Sequence, residues 1–295
     1  MKKTVFTGAG VAIVTPMHED GTVNYDVFSQ LLEDQIASGT DAIIACGTTG
    51  ESATLSHQEH VEVLDFAIRR VNKRVPVIAG TGSNDTAYAL ELSLEAQKAG
   101  ADALLMVTPY YNKTSQMGLI RHFTYVADRV NLPIILYNVP SRTGCNIKPE
   151  TFLELSKHPN IVAVKEASGD ISAVAEIAAL CGDDLQLYSG NDDQILPVLA
   201  LGGKGVISVL SNVLPRETHE ICELFFRGDV EGSRCMMLKY LDLIHALFSD
   251  VNPIPVKEAM NLMGMQVGPC RLPLVEMSEN GKKNLVEVLK KYSLV

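Results

Sequence analysis

The run VPVIAGTG at residues 75–82, the segment after it and the run ALLMVTP at residues 103–109 decide the fold class of this chain. Both runs are apolar throughout rather than alternating, which is typical of parallel strands that are covered on both faces. The intervening segment Asp85–Ala99 repeats apolar residues near helical spacing, and Gly100 after it favours a helix end. The stretch therefore predicts one strand–helix–strand unit.

The same unit recurs along the chain. Eight apolar runs end in turn-forming residues and alternate with amphipathic segments: Gly8–Pro16, Ala42–Gly47, Val75–Gly82, Ala103–Pro109, Pro133–Val139, Ile161–Ala167, Leu185–Gly190 and Gly205–Ser211. Eight such units in about 225 residues predict an α/β fold, a closed (β/α)8 TIM barrel. An open doubly wound sheet is the alternative, but the first run lacks the G-x-G-x-x-G turn that is usual there.

The remaining patterns are helical. We place the catalytic barrel at residues 1–224 and a C-terminal helical domain at residues 225–295, because no further strand pattern follows. Ser56 and Glu59 have the spacing of a capping box at a helix start. Three other segments have helical patterns: Asp26–Ser38, Cys235–Phe248 and Glu279–Tyr292.

Composition excludes several classes of protein. The 295 residues are 46% hydrophobic and 20% charged, which is typical of a globular domain and not of a disordered chain. The net charge of −10 argues against a nucleic-acid partner, and no apolar run reaches the ~18 residues of a membrane helix. Six cysteines without a C-x-x-C pair indicate reduced, mostly buried thiols and a cytoplasmic location. We expect no secretory signal.

Lys165 is the residue whose position predicts chemistry. It ends an apolar run in which alternation would place Val162 and Val164 outward, and Ala163 and Lys165 inside the barrel. Apolar walls desolvate an ammonium group and lower its pKa, and a neutral amine is the nucleophile that forms a Schiff base. A lysine that extends to solvent at the strand end is the alternative.

Polar residues at the ends of neighbouring runs fit that chemistry. Tyr137 could transfer protons during imine formation, and Arg142 could hold a carboxylate with its planar guanidinium. The turn GTTG at residues 47–50 could present backbone N–H groups to an anion. Each also has a structural alternative: a packed tyrosine, a solvated arginine and an ordinary turn.

Two kinds of site are not expected. Asp192 and Asp193 follow the seventh run, where barrels often bind phosphate, so a phosphorylated substrate does not fit. His57 and His60 lie in the first turn of a helix with no third ligand nearby in the sequence, so we predict no metal site.

Several motifs together resemble one family over essentially the whole chain. They are GTTGE at 47–51, YYN at 110–112, YNVPSRTG at 137–144, VKE at 164–166, GG at 202–203, GVIS at 205–208 and NPIPVK at 252–257. Their order and spacing are similar to those of the dihydrodipicolinate synthase family, pyruvate-dependent class I aldolases that include N-acetylneuraminate lyase. The resemblance implies lyase activity on a barrel with a C-terminal helical segment, acting in lysine biosynthesis.

The resemblance also implies roles for individual residues. Lys165 would form the Schiff base with pyruvate, with no other cofactor, and Thr48 and Thr49 would bind the pyruvate carboxylate. Tyr137, Thr48 and Tyr111 would form a proton relay, with Tyr111 contributed across a dimer interface of a homotetramer. Arg142 would hold the carboxylate of the second substrate, L-aspartate 4-semialdehyde. Two further residues would line the pocket: Gly190 and Ile207.

The resemblance leaves two alternatives and one regulatory question. The chain could be another pyruvate lyase of the family, similar to N-acetylneuraminate lyase, or an inactive regulatory barrel; the loop around Arg142 favours the synthase. Members inhibited by lysine bind it at a subunit interface, and Tyr88 stands where those members have a glutamate. We therefore expect weak or absent inhibition by lysine. The residues that match that site are Ser52, Ala53, His57, His60, Asn84 and Tyr110.

Overall fold

The computed structural model describes residues 2–295 and forms a closed barrel of eight parallel strands in chain order. The strands are β1 Gly8–Ala12, β2 Ala42–Ala45, β3 Val77–Gly80, β4 Ala103–Val107, β5 Ile134–Asn138, β6 Ile161–Glu166, β7 Gln186–Ser189 and β8 Gly205–Ser208. The predicted (β/α)8 barrel is confirmed, and every strand lies inside its predicted run. The runs were longer because each includes the turn residues at the carboxyl end of its strand.

Helices surround the barrel and form the C-terminal segment. Within residues 2–295 they are α1 Tyr25–Ala37, α2 His57–Val71, α3 Thr86–Ala99, α4 Gln116–Ala127, α5 Pro140–Thr143, α6 Pro149–Leu155, α7 Ile171–Cys181, α8 Ile195–Ala200, α9 Pro215–Phe226, α10 Val230–Lys239, α11 Leu241–Ala246, α12 Ile254–Leu262 and α13 Glu279–Lys291. The predicted helices agree with α1, α3 and α13 to within one residue at each end. The capping box of α2 is confirmed, with Ser56 and Glu59 bonded to each other's backbone N–H groups.

One helical prediction needed correction, and one helix of the C-terminal segment was missed. The segment Cys235–Phe248 is two helices rather than one, and the first begins earlier, at Val230, where the Asp229 side chain caps it by accepting from the Gly232 N–H group at 2.8 Å. Helix α12 was not predicted at all, because its first residues were noted only as a motif.

The strands separate two apolar layers. Val164 faces outward into the layer between the strands and the helices, as predicted. Val162 was predicted to face outward as well, but it packs in the cluster that fills the barrel interior, together with Ala163. The cause is a register shift, since Ile134 and Ile135 pair with Ile161 and Ala163 and leave Val162 without a partner on β5.

The C-terminal segment packs against the carboxyl end of the barrel. Helices α11 and α12 contact the turns that follow β7 and β8, and both pack against α13. Helix α9, which packs against β1 and β8, ends at Phe226, two residues beyond the expected boundary at 224/225. That division of the chain stays a prediction. No helix among residues 2–295 is both long and apolar enough to cross a membrane.

Candidate active site

Lys165 lies inside the carboxyl end of the barrel, at the end of β6. Only 6% of the residue is exposed, and its Nζ atom lies 4.4 Å from the centre of the Tyr137 ring. Burial lowers the pKa of Lys165 to about 8; the negative charge of Asp192 opposes this shift, and the positive charge of Arg142 adds to it. A lysine extended into solvent is therefore not what the fold places here.

A second buried lysine shows how unusual the surroundings of Lys165 are. Lys257 on α12 donates to a Glu51 carboxylate oxygen at 2.8 Å and to the carbonyl oxygens of Pro269 and Thr15 at 2.5 and 3.3 Å. Lys165, in contrast, makes no hydrogen bond or ion pair with any of residues 2–295. Buried charges are normally paired, so an unpaired amine indicates a group kept for chemistry.

Tyr137 on β5 is the nearest neighbour of Lys165 with a transferable proton. The two residues pair in register, and Tyr137 is also buried. Burial raises the pKa of Tyr137, while the charge of Arg142 and a hydrogen bond with the Thr48 side chain act in the opposite direction. The phenol therefore stays protonated near neutral pH and can donate a proton beside the lysine amine.

The turn after β2 presents hydrogen-bond donors. Its internal bonds come from the N–H groups of Gly50, Glu51 and Ser52, whereas those of Thr48 and Thr49 donate to no acceptor among residues 2–295. Two adjacent free N–H groups and two hydroxyl groups can hold a carboxylate.

Gly190 lies against the Lys165 side chain, and Ile207 lies in the barrel interior. Ile207 on β8 is fully buried in the barrel interior. A side chain at Gly190 would place its Cβ atom 2.7 Å from the Ala167 Cβ atom and 3.1 Å from Cε of Lys165. Only glycine leaves the lysine room at this position.

Arg142 lies on α5, directly after β5, and is exposed at the mouth of the site. A cavity of about 410 Å³ connects it with Thr48 and with most of the residues expected at the lysine site. Five of those residues line it: Ser52, Ala53, His60, Tyr88 and Tyr110.

The other two expected residues adjoin this group. The His57 ring lies 5.8 Å from the Tyr88 ring, and the Asn84 side chain donates to the Tyr110 carbonyl oxygen at 3.2 Å. The Nε2 atom of His60 lies 2.8 Å from the carbonyl oxygen of Gly80, at the end of β3. Burial lowers the pKa of His60.

Tyr111 is the one expected catalytic residue that a single chain does not bring to the lysine. It is 92% exposed and adopts a positive φ of 68°. Left-handed backbone is uncommon for a bulky residue and is typical of functional positions. Its proposed role across an interface stays a prediction.

Sequence reasoning missed two residues of the site. Asp192 was noted only as an argument against phosphate, yet it is buried, its Oδ2 atom accepts from the backbone N–H groups of Val209 and Leu210, and its charge acts on Lys165. Asn252 of the C-terminal segment donates to Thr49 Oγ1 at 2.9 Å. The contact joins residues 203 positions apart in the chain, so no local sequence pattern predicts it.

The fold and this arrangement define a class: a barrel enzyme with a lysine amine that can attack a carbonyl group and with a proton donor beside it. Among residues 2–295 no cluster of three or more His, Cys, Asp or Glu side chains could hold a metal ion.

Comparison with known proteins identifies the family. The model of the dihydrodipicolinate synthetase family matches residues 5–292, and the chain belongs to that family. A 4-hydroxy-tetrahydrodipicolinate synthase of Lachnoclostridium phytofermentans is 59% identical over 292 residues, 99% of each chain. The crystal structure of a chloride-inhibited dihydrodipicolinate synthase from Acinetobacter baumannii, complexed with pyruvate, has a TM-score of 0.97 at 42% identity and covers 99% of this chain and 100% of its own. The lysine-bound synthase of Cyanidioschyzon merolae has a TM-score of 0.96 at 41% identity, with 99% and 100% covered.

Proposed function

We propose that this chain condenses pyruvate with L-aspartate 4-semialdehyde, the reaction of a 4-hydroxy-tetrahydrodipicolinate synthase in the diaminopimelate route to lysine. The observation that carries the proposal is the buried, unpaired amine of Lys165 at the carboxyl end of β6. The name of the 59% identical relative and the family membership support this choice of substrates over others that an amine could bind.

The first step is formation of an imine on Lys165. The neutral amine bonds to the keto carbon of pyruvate, and the resulting carbinolamine loses its hydroxyl group as water. A pKa of about 8 leaves about a tenth of the amine neutral at pH 7, against about one part in 3,000 at the ordinary value of 10.5. Tyr137 donates the proton that the departing hydroxyl group needs. The proposed reaction uses no cofactor other than this imine.

The carboxylate of pyruvate needs its own binding group. The N–H groups of Thr48 and Thr49 fill this role together with the two hydroxyl groups, because both N–H groups donate to no acceptor among residues 2–295 and the Thr48 side chain adjoins Tyr137. Holding this carboxylate sets the keto carbon against the lysine amine, which is the positioning that an intramolecular attack requires.

The second step joins the two substrates. The Tyr137 phenolate left by the first step takes up a methyl proton and so converts the imine into an enamine. The enamine carbon then bonds to the aldehyde carbon of the semialdehyde, and the phenol gives the proton to the aldehyde oxygen. Arg142 binds the carboxylate of that substrate through its planar guanidinium, at the exposed mouth of the cavity. The amino group of the semialdehyde then displaces Lys165 from the imine carbon, which closes a ring and regenerates the amine.

The proposal extends to assembly and location. We propose a cytoplasmic homotetramer built from dimers in which Tyr111 completes the proton relay of the neighbouring subunit. The positive φ of Tyr111 supports this role, since left-handed backbone is uncommon for a bulky residue, and its 92% exposure leaves the side chain accessible to a neighbouring subunit.

We also propose that lysine inhibits the enzyme weakly or not at all. Tyr88 offers a phenol rather than a carboxylate to the lysine ammonium group. Glu91 on α3 is exposed, lies 3.9 Å from the His57 ring and does not line the cavity. A charged hydrogen bond contributes about 1.5–3 kcal/mol, so its loss weakens binding by about tenfold or more.

Pyruvate consumption tests the proposal. The purified protein is supplied with pyruvate and either L-aspartate 4-semialdehyde or N-acetylmannosamine, and Lys165→Ala is the control variant. Consumption with the semialdehyde alone, together with borohydride trapping of pyruvate on Lys165, supports the proposed reaction. Consumption with the sugar alone overturns the second substrate. Absence of both turnover and trapping overturns the proposal that this chain is a Schiff-base enzyme.

A further inference from the structure

The C-terminal segment contacts the turn that carries Thr48 and Thr49 at three points. Asn252, just before α12, donates its side-chain amide to Thr49 Oγ1 at 2.9 Å. Lys257 pairs with Glu51 at 2.8 Å, and the Arg271 N–H group donates to the other Glu51 oxygen at 2.9 Å. The last two contacts anchor the backbone of the turn, whereas the first acts directly on a side chain proposed to bind substrate.

The direction of the Asn252 hydrogen bond decides where the Thr49 proton points. A hydroxyl group has one proton, and its oxygen accepts while that proton is donated elsewhere. Because Thr49 Oγ1 accepts from Asn252, its proton is free, and it has no acceptor among residues 2–295. The group is therefore a donor without a partner, in the turn proposed to receive a carboxylate.

The other end of the same amide is unpaired. The Oδ1 atom of Asn252 is buried and has no hydrogen-bond partner among residues 2–295, although the residue is only 5% exposed. A buried polar atom without a partner lowers stability compared with an apolar residue of the same shape. The stability of the fold alone does not explain an asparagine here.

We infer that Asn252 is a positioning residue that turns the hydroxyl proton of Thr49 toward the carboxylate of pyruvate. The inference rests on the proposed function of Thr49. It assigns the C-terminal segment a part in substrate binding, because a residue outside the barrel sets the polarity of a group inside it.

Three variants separate this role from a packing role. Asn252→Asp keeps the shape, and its ionised carboxylate can only accept, so it draws the Thr49 proton to itself and away from pyruvate. Asn252→Ala frees the hydroxyl group to sample about three staggered positions. Asn261→Asp is the matched control: it makes the same change on α12, where the Asn261 side chain bonds only to the Gly268 backbone.

The measurement is the pyruvate concentration that gives half-maximal borohydride trapping on Lys165. We expect it to rise about 10- to 100-fold in Asn252→Asp, which loses a hydrogen bond to a charged group, and about threefold in Asn252→Ala. Asn261→Asp should match the wild type. Thermal unfolding should show that both Asn252 variants lose stability, the alanine through a cavity and the aspartate through its buried charge, so stability does not follow the trapping concentrations.

The outcomes distinguish a failure of this inference from a failure of the proposed function on which it rests. No trapping in the wild-type protein refutes the proposed function. Trapping in the wild type with Asn252→Asp within twofold of it refutes the inference, because Asn252 would then accept from Thr49 instead of donating. If Asn252→Asp does not fold, Asn252→Ala is compared in a Thr49→Val background. No further effect there supports action through Thr49, and an undiminished effect overturns it.

Discussion

Replacing Gly190 with alanine tests whether the rate of imine formation depends on the space around Lys165 rather than on the stability of the fold. The added Cβ atom would lie 2.7 Å from the Ala167 Cβ atom, 3.0 Å from the Glu166 carbonyl oxygen and 3.1 Å from Cε of Lys165. Favourable contacts between carbon atoms lie at about 3.5–4.0 Å. The Gly190 N–H group also donates to the Glu166 carbonyl oxygen at 2.7 Å, which keeps the backbone from retreating.

The lysine side chain is the neighbour that can move. Overpacking of this size destabilises a protein by about 1–3 kcal/mol. Shifting Cε of Lys165 back to normal contact displaces the amine by about half an ångström or more, and a misplacement of about 1 Å costs about a hundredfold in rate. We therefore expect Gly190→Ala to slow imine formation about 10- to 100-fold.

The assay compares the rate of borohydride-trapped pyruvate with unfolding in urea, in two glycine variants. Gly203→Ala is the control, because its Cβ atom would lie 2.7 Å from the Val198 carbonyl oxygen, at the opposite end of the barrel. Gly203→Ala should lose about as much stability as Gly190→Ala and keep the wild-type rate of pyruvate trapping. Equal rates in Gly190→Ala and the wild type, or equal slowing in both variants, would refute the reasoning.

Three further predictions follow from the charged and polar groups. The rate of pyruvate trapping should rise about tenfold per pH unit up to the Lys165 pKa of about 8 and level above it, because only the neutral amine reacts; a flat profile from pH 6 to 8 would contradict this. Lys257→Met leaves Glu51 charged and buried, so urea unfolding should show a loss of about 3–5 kcal/mol, and Glu51→Gln combined with Lys257→Met should lose less than the sum of the single losses. Tyr88→Glu should lower the lysine concentration for half inhibition by about tenfold or more, and an unchanged titration would count against the assigned site.

The barrel could be predicted because each strand carries its own signal. The continuous apolar runs exist because parallel strands are buried on both faces, and this requirement acts within four to six residues. The orientation of Val162 could not be predicted, because it depends on the register shift with β5 rather than on alternation within β6. The split between α10 and α11 was also missed, since the single residue Tyr240 separates the two helices.

The site was predictable only in part. Lys165 and Tyr137 lie at the carboxyl ends of strands and Arg142 follows one, and the topology gathers these strand ends at one edge of the barrel. The contribution of Asn252 was not predictable, since its partner Thr49 lies on the turn after β2. Resemblance supplied Tyr111, whose side chain is 92% exposed and does not line the cavity that joins Arg142 and Thr48.

The two buried lysines show why the sequence alone could not tell a lysine in a structural ion pair from a lysine with a free amine. Each stands among apolar neighbours, and each loses its hydration on folding. Lys257 recovers the loss from Glu51, whose carboxylate is 206 positions away in the chain, and from two carbonyl oxygens. Lys165 finds no such partner, and burial therefore acts on its pKa without full compensation. The fold pairs Lys257 and leaves Lys165 unpaired, and the Lys257–Glu51 ion pair also anchors the turn that carries Thr48 and Thr49.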